Sequence, residues 1–547
     1  MRIALAQINT IIGDFEHNIN LILERARQAK ILGADLCCFP EQCIPGYPAH
    51  DLIERPYFLQ QNLQALHQIA KALPDIPVVV GFAEPHSENV GKGVYNSAAL
   101  IEKGTIKSVH RKTLLPTYDV FDESRYFDPA PNVKAVEIRG LRLGITICED
   151  IWNDPEFWSH RLYDRDPIGE LMAQGIDLLI NIAASPFTME KRTLRFEMLQ
   201  SAAKDYKIPV LFVNSVGGND ELVFDGASLG FDARGNLIAQ GYEFEEDLIL
   251  IDTQTMKGDI HPRLEHPEEA ALKALILGTR DYARKCGFSN AILGLSGGID
   301  SALVLWIGAE ALGKDHIEAV IMPSVYTPQN SIEDAKTLAH HLGVKYRIIP
   351  ITELFQTYLK VLEPHFLNLP PDTTEENIQA RIRGNILMAL SNKFGHLVLS
   401  TGNKSEIATG YCTLYGDLAG GLAILSDVPK TLVYTLSRFI NRFQEIIPSS
   451  ILNKRPSAEL KPDQFDQQTL PPYDLLDAII EKHIVERRDG PELRESGIDK
   501  EIVSQVLTMV RRSEYKRRQS PPGIKLTSKA FGYGRRIPLS HHWRAEE

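Results

Sequence analysis

The stretch ILGLSGGIDS, residues 292–301, runs apolar for four residues and then turns small and polar. It reads as a strand that stops at a tight turn. Gly297 and Gly298 allow the backbone to bend sharply and to approach a ligand closely. The next residues, SALVLWIGAEALG (301–313), form a helical pattern whose first amides face the same turn. Free amides and the helix dipole favour an anion there. Ser296 and Ser301 add hydroxyl donors, and Asp300 offers a ligand for a magnesium ion. A lone glycine pair would sooner be read as a strand-to-helix turn with no ligand. The full six-residue pattern between strand and helix points to a phosphate cradle.

Outward from this stretch the pattern is α/β. EAVIMPS (318–324), KYRIIPI (345–351) and HLVLST (396–401) read as further strands between helices, predicting a doubly wound parallel sheet. A second glycine-bearing stretch, GAEALGKD (308–315), comes close to a phosphate loop. It carries Asp315 where a hydroxyl is needed, and Gly313 reads as a helix stop.

Upstream, short apolar runs at 3–8, 35–40, 77–82, 95–101, 133–138, 142–148, 177–183, 209–214 and 226–232 read as strands among helical segments. This order predicts a second layered α/β domain. At 253–268, TQTMKGDIHPRLEHPE has two prolines, a glycine and no clean period. It divides the chain into domains at 1–258 and 269–547, with a linker at 259–268. The length of 547 residues, too great for one core, agrees.

The balance of 59 basic and 71 acidic residues gives a net charge of −12, which argues against a nucleic-acid partner. Six cysteines without a CxxC pair suggest a reduced, cytoplasmic protein. No run approaches the length of a membrane span, and the alternating start MRIALAQINTIIGD lacks the form of a signal peptide.

One cysteine stands apart. LGITICED (143–150) delivers Cys148 at the end of an apolar run. CCFPEQCIPGYP (37–48) sets Glu41 after a strand, and HRKTLLPTYDVFDESRYF (110–127) supplies Lys112. A thiol that attacks a carbonyl needs a base, and a cation to stabilise the oxyanion. A charge pair at ~4 Å and an effective dielectric of about 20 is worth ~4 kcal/mol before solvation costs, enough to oppose the effect of burial on a thiol. Cys37, Cys38 and Cys43 read as packing residues.

The order Glu41, Lys112, Cys148 resembles the nitrilase superfamily of amidases. That resemblance implies an αββα sandwich in which these residues are base, oxyanion stabiliser and nucleophile. It also implies Tyr118, Glu123, Ser185 and Lys191 as glutamine contacts. SGGIDS resembles the pyrophosphatase loop of the N-type ATP pyrophosphatases, which leave AMP on a carboxylate or carbonyl. It implies ATP contacts at Gly294, Leu295, Ser296, Gly297, Gly298, Ile299, Asp300 and Ser301. HLVLSTGNKSE (396–406), a strand ending in a polar turn where α/β sheets put ligands, adds Thr401 as an ATP contact.

The two halves in this order resemble the glutamine-dependent NAD synthetases. The family implies ATP, glutamine and deamido-NAD+ as substrates, with Mg2+ held by Asp300 and Glu406. It implies deamido-NAD+ contacts at Asn377, Arg381, Glu406 and Lys529, and a homo-oligomer. By spacing, TTEENIQARIRGNILMAL (373–390) places Thr373 and Glu376 as a capping box. Ile378, Ile382, Ile386 and Ala389 then form an apolar stripe, with Asn377, Arg381 and Asn385 on another face. The tail 511–536 holds nine Lys or Arg and one acid, a basic run that is either solvated or bound to phosphates. Ala183 stands where the family is expected to carry Ser, and Gln467 and Gln468 where acids are expected. Two rivals stand beside this reading: a tRNA-modifying or other amidotransferase, and a nucleotide or glutamine sensor with no activity.

Overall fold

The structure is a computed structural model and describes residues 1–87 and 90–546. The chain divides into two compact units, Met1–Glu265 and His266–Glu547.

The strands of the first unit are β1 (Arg2–Gln7), β2 (Leu36–Cys38), β3 (Val78–Pro85), β4 (Val94–Glu102), β5 (Thr105–Arg111), β6 (Val136–Ile138), β7 (Leu141–Ile147), β8 (Leu178–Ala183), β9 (Val210–Asn214), β10 (Val216–Asn219), β11 (Leu222–Asp225), β12 (Leu229–Phe231), β13 (Leu237–Gln240), β14 (Asp247–Asp252) and β15 (Lys257–Gly258). One sheet runs β15-β14-β1-β2-β3-β4-β5 and the other β13-β12-β9-β8-β7-β6.

Side-chain alternation explains how these sheets stack. Along β1, Ile3 and Leu5 join a core that also holds Ile145, Ile147, Ile180 and Ile182 of the other sheet. Ala4 and Ala6 face the opposite way, onto Ile22 and Ala26 of the helix Phe15–Ile31 and Leu66 and Ile69 of the helix Pro56–Ala72. The adjacent Cys38 and Cys37 divide between the same two cores. Every residue of β8 is buried, and Met198 and Leu199 of the helix Lys191–Asp205 belong to the same core. The result is the αββα sandwich.

The second unit holds β16 (Ala291–Gly294), β17 (Ile317–Ile321), β18 (Lys345–Ile348), β19 (Leu397–Ser400) and β20 (Leu422–Ala423). They form one parallel sheet in the order β18-β17-β16-β19-β20. The chain leaves β16 toward β17 and returns on its other side at β19. The crevice between these two strand ends is therefore the switch point, where open α/β sheets bind ligands. Gly313 caps the helix Ile299–Leu312, so GAEALGKD is a helix end. Among the described residues no helix is long and apolar enough to cross a membrane.

Several local features differ from expectation. The strand list passed over β5, which is an edge strand with alternate residues in solvent, so it shows no apolar run. It also omitted β14, whose LILI core pairs antiparallel with β1, and the hairpin β10–β11. The helix Thr373–Phe394 is capped one residue earlier than the spacing suggested: Asp372 accepts from the Thr374 amide at 2.7 Å and Glu375 accepts from the Asp372 amide at 2.7 Å. Glu376 instead takes Lys461 and Gln464. Ile378 and Ile382 are buried, but Ala389 is exposed. In the 253–268 break, β15 pairs with β14, and Ile260 bridges to Gln240. Residues 259–265 therefore lie on the first unit.

Candidate active sites

In the first unit three chain segments converge. Glu41 lies in the turn after β2, which packs so closely on β3 that a Cβ at Gly81 would lie 2.2 Å from the Gln42 nitrogen. Lys112 follows β5 and is fully buried, as is its partner Glu41. Lys112 Nζ donates to Glu41 Oε1 at 2.8 Å and to Glu123 Oε1 at 2.8 Å. Asn96 of β4 donates to Glu41 Oε1 at 2.7 Å, and the Ala184 amide donates to Oε2 at 2.9 Å. Tyr47 completes the group by donating to Glu123 at 3.0 Å.

Cys148 sits at the end of β7 with φ +44°, a left-handed conformation rare outside glycine. Such a turn lifts one side chain out of the strand repeat. Burial pushes its thiol well above the ordinary value and Glu41 adds to this, while Lys112 and Lys191 pull it down. Burial also works to neutralise Lys112, but Glu123, Glu41 and Cys148 outweigh it and keep the ammonium charged. Burial pushes the Glu123 carboxyl up to about 7 against the pull of Lys112. A fixed cation beside a thiol and an oriented carboxylate is the apparatus for attack on an amide carbonyl.

The remaining glutamine candidates lie around this centre. Tyr118 and Tyr163 both donate to the buried Glu149 carboxylate at 3.0 Å. Lys191 Nζ lies 4.8 Å from the centre of the Trp152 ring and 5.5 Å from that of Phe121. Ser185 is held through its amide by Asn214 at 2.8 Å, and its buried hydroxyl has no hydrogen-bond partner among the described residues.

In the second unit, the residues after β16 form a closed turn. Ser296 Oγ lies 3.0 Å from Ser301 Oγ and accepts from the Gly298 amide at 3.2 Å. Gly297 has φ +78°, and a Cβ there would lie 2.2 Å from the Ser331 carbonyl oxygen. Gly297→Ala should therefore displace the turn from the helix Gln329–Leu342 and cost about 2–3 kcal/mol of stability. The expected result is a lower urea midpoint together with a weaker affinity for ATP in calorimetry.

A cavity of about 400 Å³ opens at the switch point. Gly294, Leu295, Ser296, Gly298, Ile299, Asp300, Ser301, Asn377, Thr401 and Glu406 line it; Gly297 supports it from behind. Arg381 and Lys529 are not on its wall. Arg381 is exposed and donates to the Leu414 carbonyl at 3.3 Å, and the Lys529 carbonyl accepts from Lys404 at 2.9 Å. Asp300 bridges the two strand ends: Asn403 donates to its Oδ1 at 2.9 Å, and Lys430 donates to its Oδ2. Lys430 also lies 3.5 Å from Glu406. Burial, then Asp300, push the Glu406 carboxyl up to about 8.

Carbon–nitrogen hydrolase is the family matched by residues 2–257, and NAD synthase the family matched by residues 271–520. The glutamine-dependent NAD(+) synthetase of Synechocystis sp. is 46% identical over 98% of both chains. The chain belongs to the glutamine-dependent NAD(+) synthetase family. The synthetase of Thermotoga maritima is 44% identical over 100% of this chain and 99% of its own. The solved structure of the Acinetobacter baumannii synthetase, in complex with ADP, is 39% identical with a TM-score of 0.78, covering 100% of this chain and 99% of that one.

Sequence reading missed several residues of the synthetase sites. Lys430 is the clearest. It stands at the first position of the helix Lys430–Ile440, where the dipole disfavours a cation. That misfit is a local signal that its ammonium is used elsewhere. Arg383 lines the cavity, donates to the Met322 carbonyl at 3.0 Å, and is lowered to about 10 by burial. Asp466 lines the cavity one residue before the Gln467–Gln468 pair. Gln468 turns away to cap its own short helix, accepting from the Phe465 amide at 3.4 Å. Ala183 is fully buried at the end of β8, where a small side chain suffices. The basic tail is largely spent on structure: Arg517 is buried and bonds Glu514 and the carbonyls of Ile407 and Ala408.

Proposed function

We propose that the two sites divide glutamine-dependent NAD+ synthesis between them, with Cys148 as nucleophile in the first and the 296–301 turn as pyrophosphate cradle in the second. The observation that carries this reading is the buried Glu41–Lys112–Glu123 cluster beside Cys148 in a chain that also carries the SGGIDS turn at a switch point.

Glutamine binds with Tyr118, Ser185 and Lys191 around it; the Ser185 hydroxyl, which has no hydrogen-bond partner among the described residues, suits a substrate carboxylate. Glu41 takes the thiol proton as Cys148 attacks the side-chain amide. Lys112 faces the oxyanion, and Glu123 holds Lys112 in place. Glu41 passes its proton to the amide nitrogen, the C–N bond breaks and ammonia leaves, and water cleaves the thioester to glutamate.

In the second site the nicotinate carboxylate of deamido-NAD+ displaces pyrophosphate from the α-phosphorus of ATP. A carboxylate is a poor electrophile, and the acyl-adenylate makes AMP its leaving group. Ammonia then attacks to give the amide. Ser296, Gly298, Ser301 and Thr401, on the cavity wall, face the leaving pyrophosphate, and Gly297 shapes the turn behind them. Asn377 and Glu406 face the acid dinucleotide, with Arg381 and Lys529 reserved for any part that extends beyond the cavity.

Two carboxylates aimed at one point suit a hard divalent ion whose other ligands are phosphate oxygens. Asp300 and Glu406 would hold Mg2+, which would neutralise phosphate charge. Lys430 already shares both carboxylates and keeps them from repelling one another.

We read the chain as a cytoplasmic homo-oligomer. Its six cysteines are free thiols, and Leu354, Tyr358 and Val361 leave an exposed apolar stripe on the helix Thr352–Leu362. The net charge of −12 accords with small-molecule substrates rather than nucleic acid. The decisive experiment is mass-spectrometric tracing of amide-labelled glutamine in the presence of ATP, magnesium and deamido-NAD+. The expected product is NAD+ bearing the heavy nitrogen; unlabelled NAD+, or none, would sink the proposal.

A further inference from the structure

The sandwich draws its hydrolytic site from both sheets. Glu41 and Lys112 extend from β2 and β5 of one sheet, whereas Cys148 extends from β7 of the other. Between the sheets the packing is apolar, with Ile3, Leu5 and Leu100 set against Ile145 and Ile180. Apolar packing is non-directional and sets sheet spacing only loosely. A cation that acts on a particular sulfur must be placed far more tightly, since a 1 Å error costs about 10²-fold in rate. Directional bonds across the sheets have to supply that placement.

The Asp150 carboxylate makes such bonds. It is 2% exposed. Its Oδ1 accepts the amides of Thr113 at 2.9 Å and Leu114 at 2.9 Å, the two residues after Lys112. Its Oδ2 accepts the Ile147 amide at 3.0 Å, the residue before Cys148. One rigid carboxylate thus ties the main chain beside the lysine to the main chain beside the thiol. Another tie across the sheets, Glu41 Oε2 to the Ala184 amide at 2.9 Å, fixes the base.

We propose that Asp150 is a positioning residue for the hydrolytic half-reaction, setting the distance between the Lys112 ammonium and the Cys148 sulfur. This inference rests on the roles given above to Cys148 and Lys112. The competing account is that Asp150 merely closes the short turn Cys148–Ile151 through its bond to Ile147.

The two accounts part on the thiol itself. If Asp150 sets the spacing, loosening the tie moves the ammonium from the sulfur and raises the thiol pKa. The experiment measures iodoacetamide labelling of Cys148 against pH, read at the peptide level in the full-length protein. It is run on the wild type, Asp150→Ala, Asp150→Asn and Lys112→Met. For Asp150→Ala the labelling midpoint should rise by about one pH unit, as in any loss of a close charge contact worth ~1.4 kcal/mol. Glutamine kcat should fall about 100-fold with KM within about threefold, the mark of an interaction felt mainly in the transition state. Asp150→Asn, which keeps one acceptor oxygen, should fall between the wild type and alanine on both readouts. If Asp150→Ala lowers the unfolding midpoint so far that the unit does not fold, Asp150→Asn decides on the same two readouts. A fall in kcat with the wild-type labelling curve would reduce Asp150 to a turn brace, and wild-type values of both would remove any role. A wild-type labelling curve for Lys112→Met would instead overturn the role of Lys112, whatever Asp150 does.

Discussion

Cys148→Ala should abolish NAD+ formation from glutamine and leave formation from ammonium salts in place. The expected loss with glutamine is roughly 10⁴-fold or more, the scale on which removal of a covalent nucleophile acts. No neighbour can substitute. The nearby Cys37, Cys38 and Cys43 are buried in packing positions, and burial raises all three thiols far above neutral pH. The fold should tolerate the change, because alanine removes one sulfur from a left-handed turn whose backbone bonds it does not make. Ammonium activity reports on the second unit, which shares no residue of the Glu41–Lys112–Glu123 cluster. Both activities are read as NAD+ by enzymatic cycling. Loss of the ammonium reaction as well, or survival of the glutamine reaction, would break the two-site account.

The second large effect is expected at Asp300. Asp300→Ala should lower NAD+ synthesis with either nitrogen source by about 10²- to 10³-fold, the usual cost of removing one preorganised electrostatic partner. The substitution takes away the carboxylate that joins the turn after β16 to Asn403 after β19. It also leaves Lys430 with Glu406 at 3.5 Å, the Tyr473 ring at 5.4 Å and the nearby Asp466 charge. Without the neighbouring Asp300 charge the Glu406 carboxyl falls from about 8 and ionises more readily, so Lys430 keeps a partner and the unit stays folded. The check is pyrophosphate release from ATP with deamido-NAD+, alongside glutamate release as a control on the first unit. Normal pyrophosphate release would show that Asp300 is not needed at the phosphates.

Much of this site was legible in the order of residues because its signals are local. SGGIDS announces itself through strand, glycine and helix within ten positions, and those interactions are made by adjacent backbone. Gly313 as a helix stop is legible for the same reason. The edge strand β5 was not legible, since half of its side chains face solvent and leave no apolar run. The strand β14 was marked by LILI but needed its partner β1, more than 240 residues away, to give it a place.

The amino-acid order by itself determined the two α/β architectures, the turn that bends after β16, and the thiol at the end of β7. Each follows from apolar periodicity or from backbone freedom within a few residues. Only the tertiary structure decided which charges share a site. Lys112 meets Glu41 across 71 positions, Lys430 meets Asp300 across 130, and Asp150 reaches back to Thr113. Such partnerships depend on which strand ends the sheets bring together. Nothing in a short window of residues records that, because a buried charge is defined by whatever the fold packs against it.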